Sequence, residues 1–330
     1  MATPTAAQAH VDAALTQIAV AFLQDNDAYI ADKVFPSIPV QHKSDKFFVY
    51  SKSDFFRDEA TPRADATESA GTDFNLTTDS YLAMEWALHQ DIGEQLRANA
   101  DPAVDVDVAV TKMLMQKMMI RRDRLFVTNF MQTSKWGTDM TGAASGNGTT
   151  TTTYWSDDAN GDPFTDLATA QQTILQNTGF KPNVLVLGFP VYLALRKHPL
   201  VIDRIKYTSP AYAGRITPQL LAEAFDIDRV VVSEAVYNSA SEGVTDSFSF
   251  VVGKDALLVY ANPNPGLMVP SGGYIFAWQG FTGENNMGIR VSQIPMPWRG
   301  ISTVRTEASM AFDMHIVATS LGYFFHNVVS

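Results

Sequence analysis

A mixed α+β fold is what the 330-residue sequence predicts, on three observations. After Asp101-Pro102 no Gly or Pro interrupts the chain until past Thr133, and apolar residues recur there at helical spacing. Between Phe164 and Trp278, short helical patterns alternate with short apolar runs bounded by turn residues. From Ile301 to Val329, two stretches rich in β-branched and aromatic residues read as long strands.

Taken in order, residues 1–34 mix short apolar stretches (Leu15, Ile18, Phe22, Leu23) with Ala, Gln and Asp, and read as an arm with one short helix. Val34 to Val40 is extended, since Pro36 and Pro39 exclude a helix. Thr72 to His89 is a strand region carrying Phe74, Leu76, Tyr81 and Trp86. Asp101-Pro102 then reads as a helix start, with Asp as N-cap and Pro at the first position, where its missing N–H is no loss. Val104, Val108, Met115, Met118, Met119, Phe126 and Phe130 fall roughly on one face of a helix about 45 Å long. The run VDVDVAV alternates as a strand would, but the cap and the uninterrupted length outweigh it.

Residues 136–163 are rich in Gly, Thr and Asp and lack an apolar period, which predicts a long exposed loop or mobile hairpin and an internal boundary. Beyond it come a helix from Phe164 to Gln176 ended by Gly179, the buried strand NVLVLG, and a short helix from Pro190 to Lys197. A helix capped by Thr217-Pro218 follows, then RVVVSEAVY, SFSFVVG, ALLVYA and GYIFAWQG as strands. Together they predict a compact mixed domain whose sheet is covered on both faces.

One stretch does not fit a core element. KFFVYSKSDFFRDEATPRADATES, residues 46–69, sets Phe47 beside Phe48 and Phe55 beside Phe56. Adjacent residues of a strand point to opposite faces, so no single core covers both members of a pair. The pattern predicts a two-sided arm with a covering surface outside its own chain.

Composition narrows the function classes. The chain is 46% hydrophobic and 18% charged, enough for a real core, with two domains as the length-based expectation. A formal charge of -11 argues against a protein built to grip nucleic acid, which needs clustered Lys and Arg. No apolar run of membrane-spanning length occurs, and the first residues lack the charged and apolar parts of a secretory leader. Without cysteine there are no disulfides and no thiolate chemistry.

The six histidines, His10, His42, His89, His198, His315 and His326, show no metal-binding spacing. No nucleophile elbow, phosphate loop or dinucleotide fingerprint is present. SDDANGDPFTDL, from Ser156, imitates part of a calcium loop but places Leu167 where the bidentate Glu belongs. Arg121-Arg122-Asp123-Arg124 reads as a charged turn on a solvated helical face with intrahelical and intersubunit pairs. No catalytic residue, metal or cofactor is expected.

The order of parts, and the phrases PNVLVLGFPVYLALRKHPLVIDRIKY, RITPQLLAEAFDIDRVVVSEAVYN and FVVGKDALLVYANPNPG, resemble the major capsid proteins of tailed bacteriophages. The resemblance implies an HK97-like capsid fold with N-terminal arm, extended loop, peripheral domain with a long spine helix, and axial domain. It divides the chain into an arm (1–42), an extended loop (43–75), a peripheral domain (76–160, spine helix about 101–133, flexible loop 136–163), an axial domain (161–300) and closing peripheral strands (301–330). It also implies that the extended loop lies over a neighbouring subunit. Phe47, Phe48, Tyr50, Phe55, Phe56, Arg57, Arg63, Arg121, Arg122 and Arg124 are then the candidate intersubunit residues.

The implied function is self-assembly into hexamers and pentamers of an icosahedral virion shell, formed in the host cytoplasm around double-stranded DNA that is enclosed without specific binding. Implied partners are a portal protein, an outer cementing protein and a separate scaffolding protein, the last because no fused scaffold segment precedes the arm. Lys43, Lys46 and Lys52 lie where some members cross-link, but no partner Asn or catalytic acid can be matched, so no covalent cross-link is expected. Two alternatives compete: an encapsulin-like compartment of the same fold, and a cytoplasmic α/β hydrolase or transferase using the strands of 183–260.

Overall fold

The structure, a computed structural model, describes residues 24–100, 105–208, 216–266, 269–282, 289–300 and 303–330. Its strands are β1 Ser37–Val40, β2 Ser44–Tyr50, β3 Leu76–Leu82, β4 Met84–Ile92, β5 Thr138–Ala143, β6 Thr151–Thr153, β7 Val184–Gly188, β8 Arg229–Ser233, β9 Val236–Asn238, β10 Phe248–Phe250, β11 Ala256–Val259, β12 Gly273–Trp278, β13 Arg290–Pro295, β14 Val304–Ile316 and β15 Gly322–His326. Its helices are α1 Ala31–Val34, α2 Lys52–Phe55, α3 Glu94–Asn99, α4 Val106–Phe130, α5 Pro163–Thr178, α6 Phe189–Lys197, α7 Pro199–Thr208, α8 Pro218–Phe225 and α9 Gln279–Thr282.

Two sheets carry the architecture. In the five-stranded sheet β14 is central: β4 pairs along one side from Val304↔Ile92 to Phe312↔Met84, while β13 and β12 share the other side. β1 extends that sheet in parallel beyond β12. The six-stranded sheet runs β6-β5-β15-β11-β7-β8, with β11 antiparallel to both β15 and β7. Two antiparallel ribbons stand apart, β9–β10 and β2–β3.

Alternation along the inner strands of the six-stranded sheet divides the core in two. Val184, Val186, Leu257, Val259 and Phe324 face a cluster that includes Phe126 and Phe130 of α4 and Met310 and Phe312 of β14. Leu185, Leu187, Ala256, Leu258 and Phe325 face the other way, onto Leu167, Ile174, Leu195 and Leu221 of the helical layer. The helix α4 thus packs between the two sheets, and α5, α6 and α8 cover the outer face of the second. Each fully buried Val, Leu or Phe contributes about 1.5–3 kcal/mol of transfer free energy, so this double burial is the main hold on the fold.

Several local expectations are met residue by residue. Asp162 accepts from the backbone N–H groups of Phe164 and Thr165 to cap α5, and Gly179 ends it with φ at 75°, where a side chain would be strained. Thr217 caps α8 by accepting from Leu220. Others are corrected. The start expected at Asp101-Pro102 lies outside the described residues, and α4 begins at Val106, capped by the Asp105 side chain through Val108 N–H. It has 25 residues, about 37 Å at the usual rise. The VDVDVAV alternation therefore marks a cap and a first turn.

Segment 136–163, expected to be an exposed loop, contributes β5 and β6 to the six-stranded sheet, with Trp136, Met140 and Trp155 buried. The Trp155 indole N–H donates to Asp166, whose carboxyl is held above the usual range chiefly by burial. PLVIDRIKYT, to which the sequence reading assigned no element, is helix α7. Segment 301–330 does not return to one sheet: β14 stands in the five-stranded sheet and β15 in the six-stranded one. Conversely β12 and β13, from the 161–300 segment, join β4 and β14.

Candidate assembly interface

The ribbon of β2 and β3 is a ladder running from Ser44↔Leu82 to Tyr50↔Leu76. Its side-chain period of two makes Phe47, Asp79 and Tyr81 one face, and Phe48, Leu76 and Leu82 the other. The first face is seated at the root of the hairpin. Tyr81 stacks on Phe276 at 4.6 Å, and Phe47 meets Phe276 at 5.4 Å and the His315 ring edge-on at 5.7 Å. Asp79 accepts from His315 Nε2 at 2.9 Å, and Leu82 N–H donates to Asp313 at 3.0 Å. The His315 hydrogen bond holds the Asp79 carboxyl below the usual range.

The described residues leave most of the second face uncovered. Phe48 is 59% exposed, and Leu76, Leu82 and Met84 beside it are exposed as well. Phe48 and Leu76 stand together near the tip and Leu82 at the root, with Lys46, Thr78 and Ser80 between them on the same face; large apolar side chains gathered in water mark an interaction surface on a protein.

At the tip, Asp54 organises the turn. Its carboxylate accepts from both the backbone N–H and the side-chain amide of Asn75, at 2.8 and 3.0 Å, which ties α2 to the start of β3. The backbone bond from Asn75 is the main reason that its pKa lies below the usual range. Tyr50, Phe55 and Phe74 gather with ring centroids about 6 Å apart, yet Phe55 and Phe74 remain exposed. Phe56 reaches the end of α5, where a Cβ added to Gly179 would stand 3.3 Å from its ring, and is still 63% exposed. Arg57 pairs with Asp54 and Glu59 at the surface, and Arg63 is exposed.

The basic cluster on α4 is placed differently from expectation. Arg122 is only 5% exposed and pairs with Asp32 at 3.2 Å. Asp123 is fully buried and accepts from the N–H groups of Ile30 and Ala31, both at 3.0 Å. Burial pushes its carboxyl up to about 6, against the pull of those two bonds. Arg121 lies over the Trp86 ring and Arg124 over Tyr237, at 4.3 and 4.5 Å. The stretch expected to be a solvated face is therefore a clasp that fixes Ile30, Ala31 and Asp32 to α4. Arg122 leaves the candidate set, because a buried side chain cannot meet a second subunit in this conformation. Arg121 and Arg124 stay exposed, over rings of their own chain.

Sequence reasoning named Phe47 and Phe48 together but did not assign their faces; the register does. It also omitted Leu76, Leu82 and Met84 from the candidates, whose signal was their even-numbered parity, opposite to buried Tyr81. The calcium-like loop is accounted for locally: Asp157 binds Asn160 and Asp162 caps α5. Among the described residues no group of three or more His, Asp or Glu could hold a metal, and no helix is long and apolar enough to cross a membrane.

No protein-family model matches the chain. In sequence it is similar to the major capsid protein of Pseudomonas phage JBD67, 25% identical over 324 residues and 97% of each chain. The major capsid protein of Burkholderia phage BcepMu is 23% identical over 252 residues, 76% of each. In structure it is similar to a phage-related protein from Bordetella bronchiseptica RB50, with a TM-score of 0.65, 23% identity and coverage of 92% and 93%. The capsid structure of Cyanophage P-SCSP1u gives a TM-score of 0.55 at 11% identity, with coverage of 95% and 91%. The chain resembles phage major capsid proteins over nearly its whole length and has their HK97-like α+β fold.

Proposed function

We propose that this chain is the major capsid protein of a bacteriophage, a structural subunit that builds the virion shell by self-association. The observation that carries the reading is the set of apolar side chains on one face of the hairpin, Phe48, Leu76 and Leu82, which the described residues leave uncovered. A neighbouring copy is the surface that covers it. Because the hairpin projects from one site and is received at another, the contact is heterologous and closes into rings, five- and six-membered in an icosahedral shell. Individual contacts can be weak, since each subunit makes several and effective concentration rises once a ring exists.

In this reading the five-stranded sheet with α4 is the peripheral domain, and the six-stranded sheet with its helical layer is the axial domain. A scaffolding protein, a portal and an outer cementing protein complete the assembly in the host cytoplasm. The net charge of -11 keeps the wall from adhering to packaged DNA across a Debye length of about 8 Å.

Sedimentation with negative-stain imaging tests the proposal, on the full chain and on a chain lacking residues 46–62. Shells or rings from the first and none from the second are expected. A monomer that makes no shells even with its natural scaffold overturns the reading. Particles filled with a cargo protein in place of DNA would assign the chain to the compartment alternative.

A further inference from the structure

The hairpin tip already rests against its own chain, and the seat is poor. The last turn of α5 (Thr173, Asn177), the start of β5 (Thr138) and the start of β15 (Tyr323) form a groove roofed by Lys52 of α2, with about 210 Å³ left empty beneath. Packed interiors hold few voids larger than a water molecule, so a space of this size marks surfaces that touch without interlocking. Phe56, on the same tip, leans on Gly179 at the end of α5 with most of its surface in water. The root is the opposite case, with Tyr81 buried on Phe276 and two polar links to β14. Residues 56–75, which form the tip beyond α2, are exposed throughout. They can be re-aimed without breaking a buried contact.

We infer that the groove between α5, β5 and β15 is the receptor for the hairpin tip, filled loosely by a chain's own tip before assembly and by the tip of a second copy in the shell. The occupant follows from the groove itself. Surfaces that a chain offers to its own segment are offered equally to the same segment of an identical chain, which is the logic of domain exchange. Exchange adds what the closed chain cannot have, a cover for Phe48 and Leu76. Because the two tips compete for one groove, the self-seated tip also holds the free chain back from assembly.

This inference rests on the shell reading above. The absence of cysteine makes it testable by placed thiols. Asp58→Cys and Gln176→Cys flank the contact, are exposed, and do not line the groove. The double variant, joined within the free chain by a flexible bis-maleimide containing a cleavable disulfide, is expected to lose particle yield about ten-fold or more and to regain it on cleavage. Co-assembled single variants, treated after assembly, are expected to give covalent dimers. A joined chain that assembles as well as the unjoined one, or co-assembled singles that give no dimers, would overturn the exchange. Failure of the native and unjoined chains alike to form particles would instead sink the shell reading, and this inference with it.

Discussion

The arm, residues 24–40, and the hairpin, residues 44–82, are neighbours in sequence and both carry large apolar side chains, yet these meet opposite fates. Tyr29, Ile30, Val34 and Phe35 of the arm are buried in their own chain, while Phe48, Phe55 and Phe56 of the hairpin stand in water. Backbone hydrogen bonding explains much of the difference. The arm has no strand beside its Ile30 and Ala31 amides, and the Asp123 carboxylate satisfies them only if the arm lies on α4. The hairpin satisfies its own amides across the β2–β3 ladder and needs the core only at its root. Apolar content does not tell which segment its own chain buries; the backbone hydrogen-bond partners do.

That contrast can be broken from either side. The largest loss of stability is expected from Phe126→Ala, which empties the pocket where Phe35 of the arm meets α4. About 3–5 kcal/mol should go, read as a lower urea midpoint with an unchanged slope. Next is Asp123→Ala, which orphans two amides and weakens the charge balance at buried Arg122. A cost of about 2–4 kcal/mol is expected, with amide exchange at residues 30 and 31 rising far above that of the sheets.

The pH dependence at Asp123 sharpens the same point. Its carboxyl sits at about 6 in the folded chain, against about 3.9 unfolded. The folded chain therefore binds more protons between those values, so its stability falls as pH rises from about 4 to 6. Urea midpoints should be higher at pH 5 than at pH 7, and Asp123→Asn should flatten that slope. An equal or steeper slope in the variant would show that another group carries the effect.

On the hairpin side the effects shrink. His315→Ala removes a partly exposed partner of Asp79 and should cost no more than about 1 kcal/mol, visible as faster exchange in β3. Phe48→Ser should lie within about 0.5 kcal/mol of the native chain, yet reduce shell yield sharply. A large stability loss there would mean that Phe48 has an intrachain partner after all.

Much of the six-stranded sheet was legible because its inner strands, VLVLG and ALLV, are continuous apolar runs, the mark of strands covered on both faces. The caps of α5 and α8 were legible from Asp162 and Thr217. β5 and β6 were not, because TDMTGA and TTT bury backbone and methyl groups in place of large side chains. Trp136 and Trp155, either side of them, were the signal overlooked. The arm clasp was illegible for a different reason: Asp123 follows two arginines and reads as surface, and only its 93-residue reach to Ile30 makes it a core residue. For the interface, the aromatic pairs revealed a two-sided ribbon, whereas which face is free depends on register with Phe276, far along the chain.

The placing of β14 and β15 also governs the order in which the molecule can be completed. Each stands in the interior of its sheet, β14 between β4 and the β12–β13 side, and β15 between β5 and β11. Both come after every other strand in the sequence. While the ribosome has delivered only the first 300 residues, β5 has no link to β11 and β4 none to β12, so neither sheet can close. Until β14 and β15 have emerged, the two halves of each sheet in the growing chain stay unjoined, and the surfaces that the closed sheets carry are not yet built.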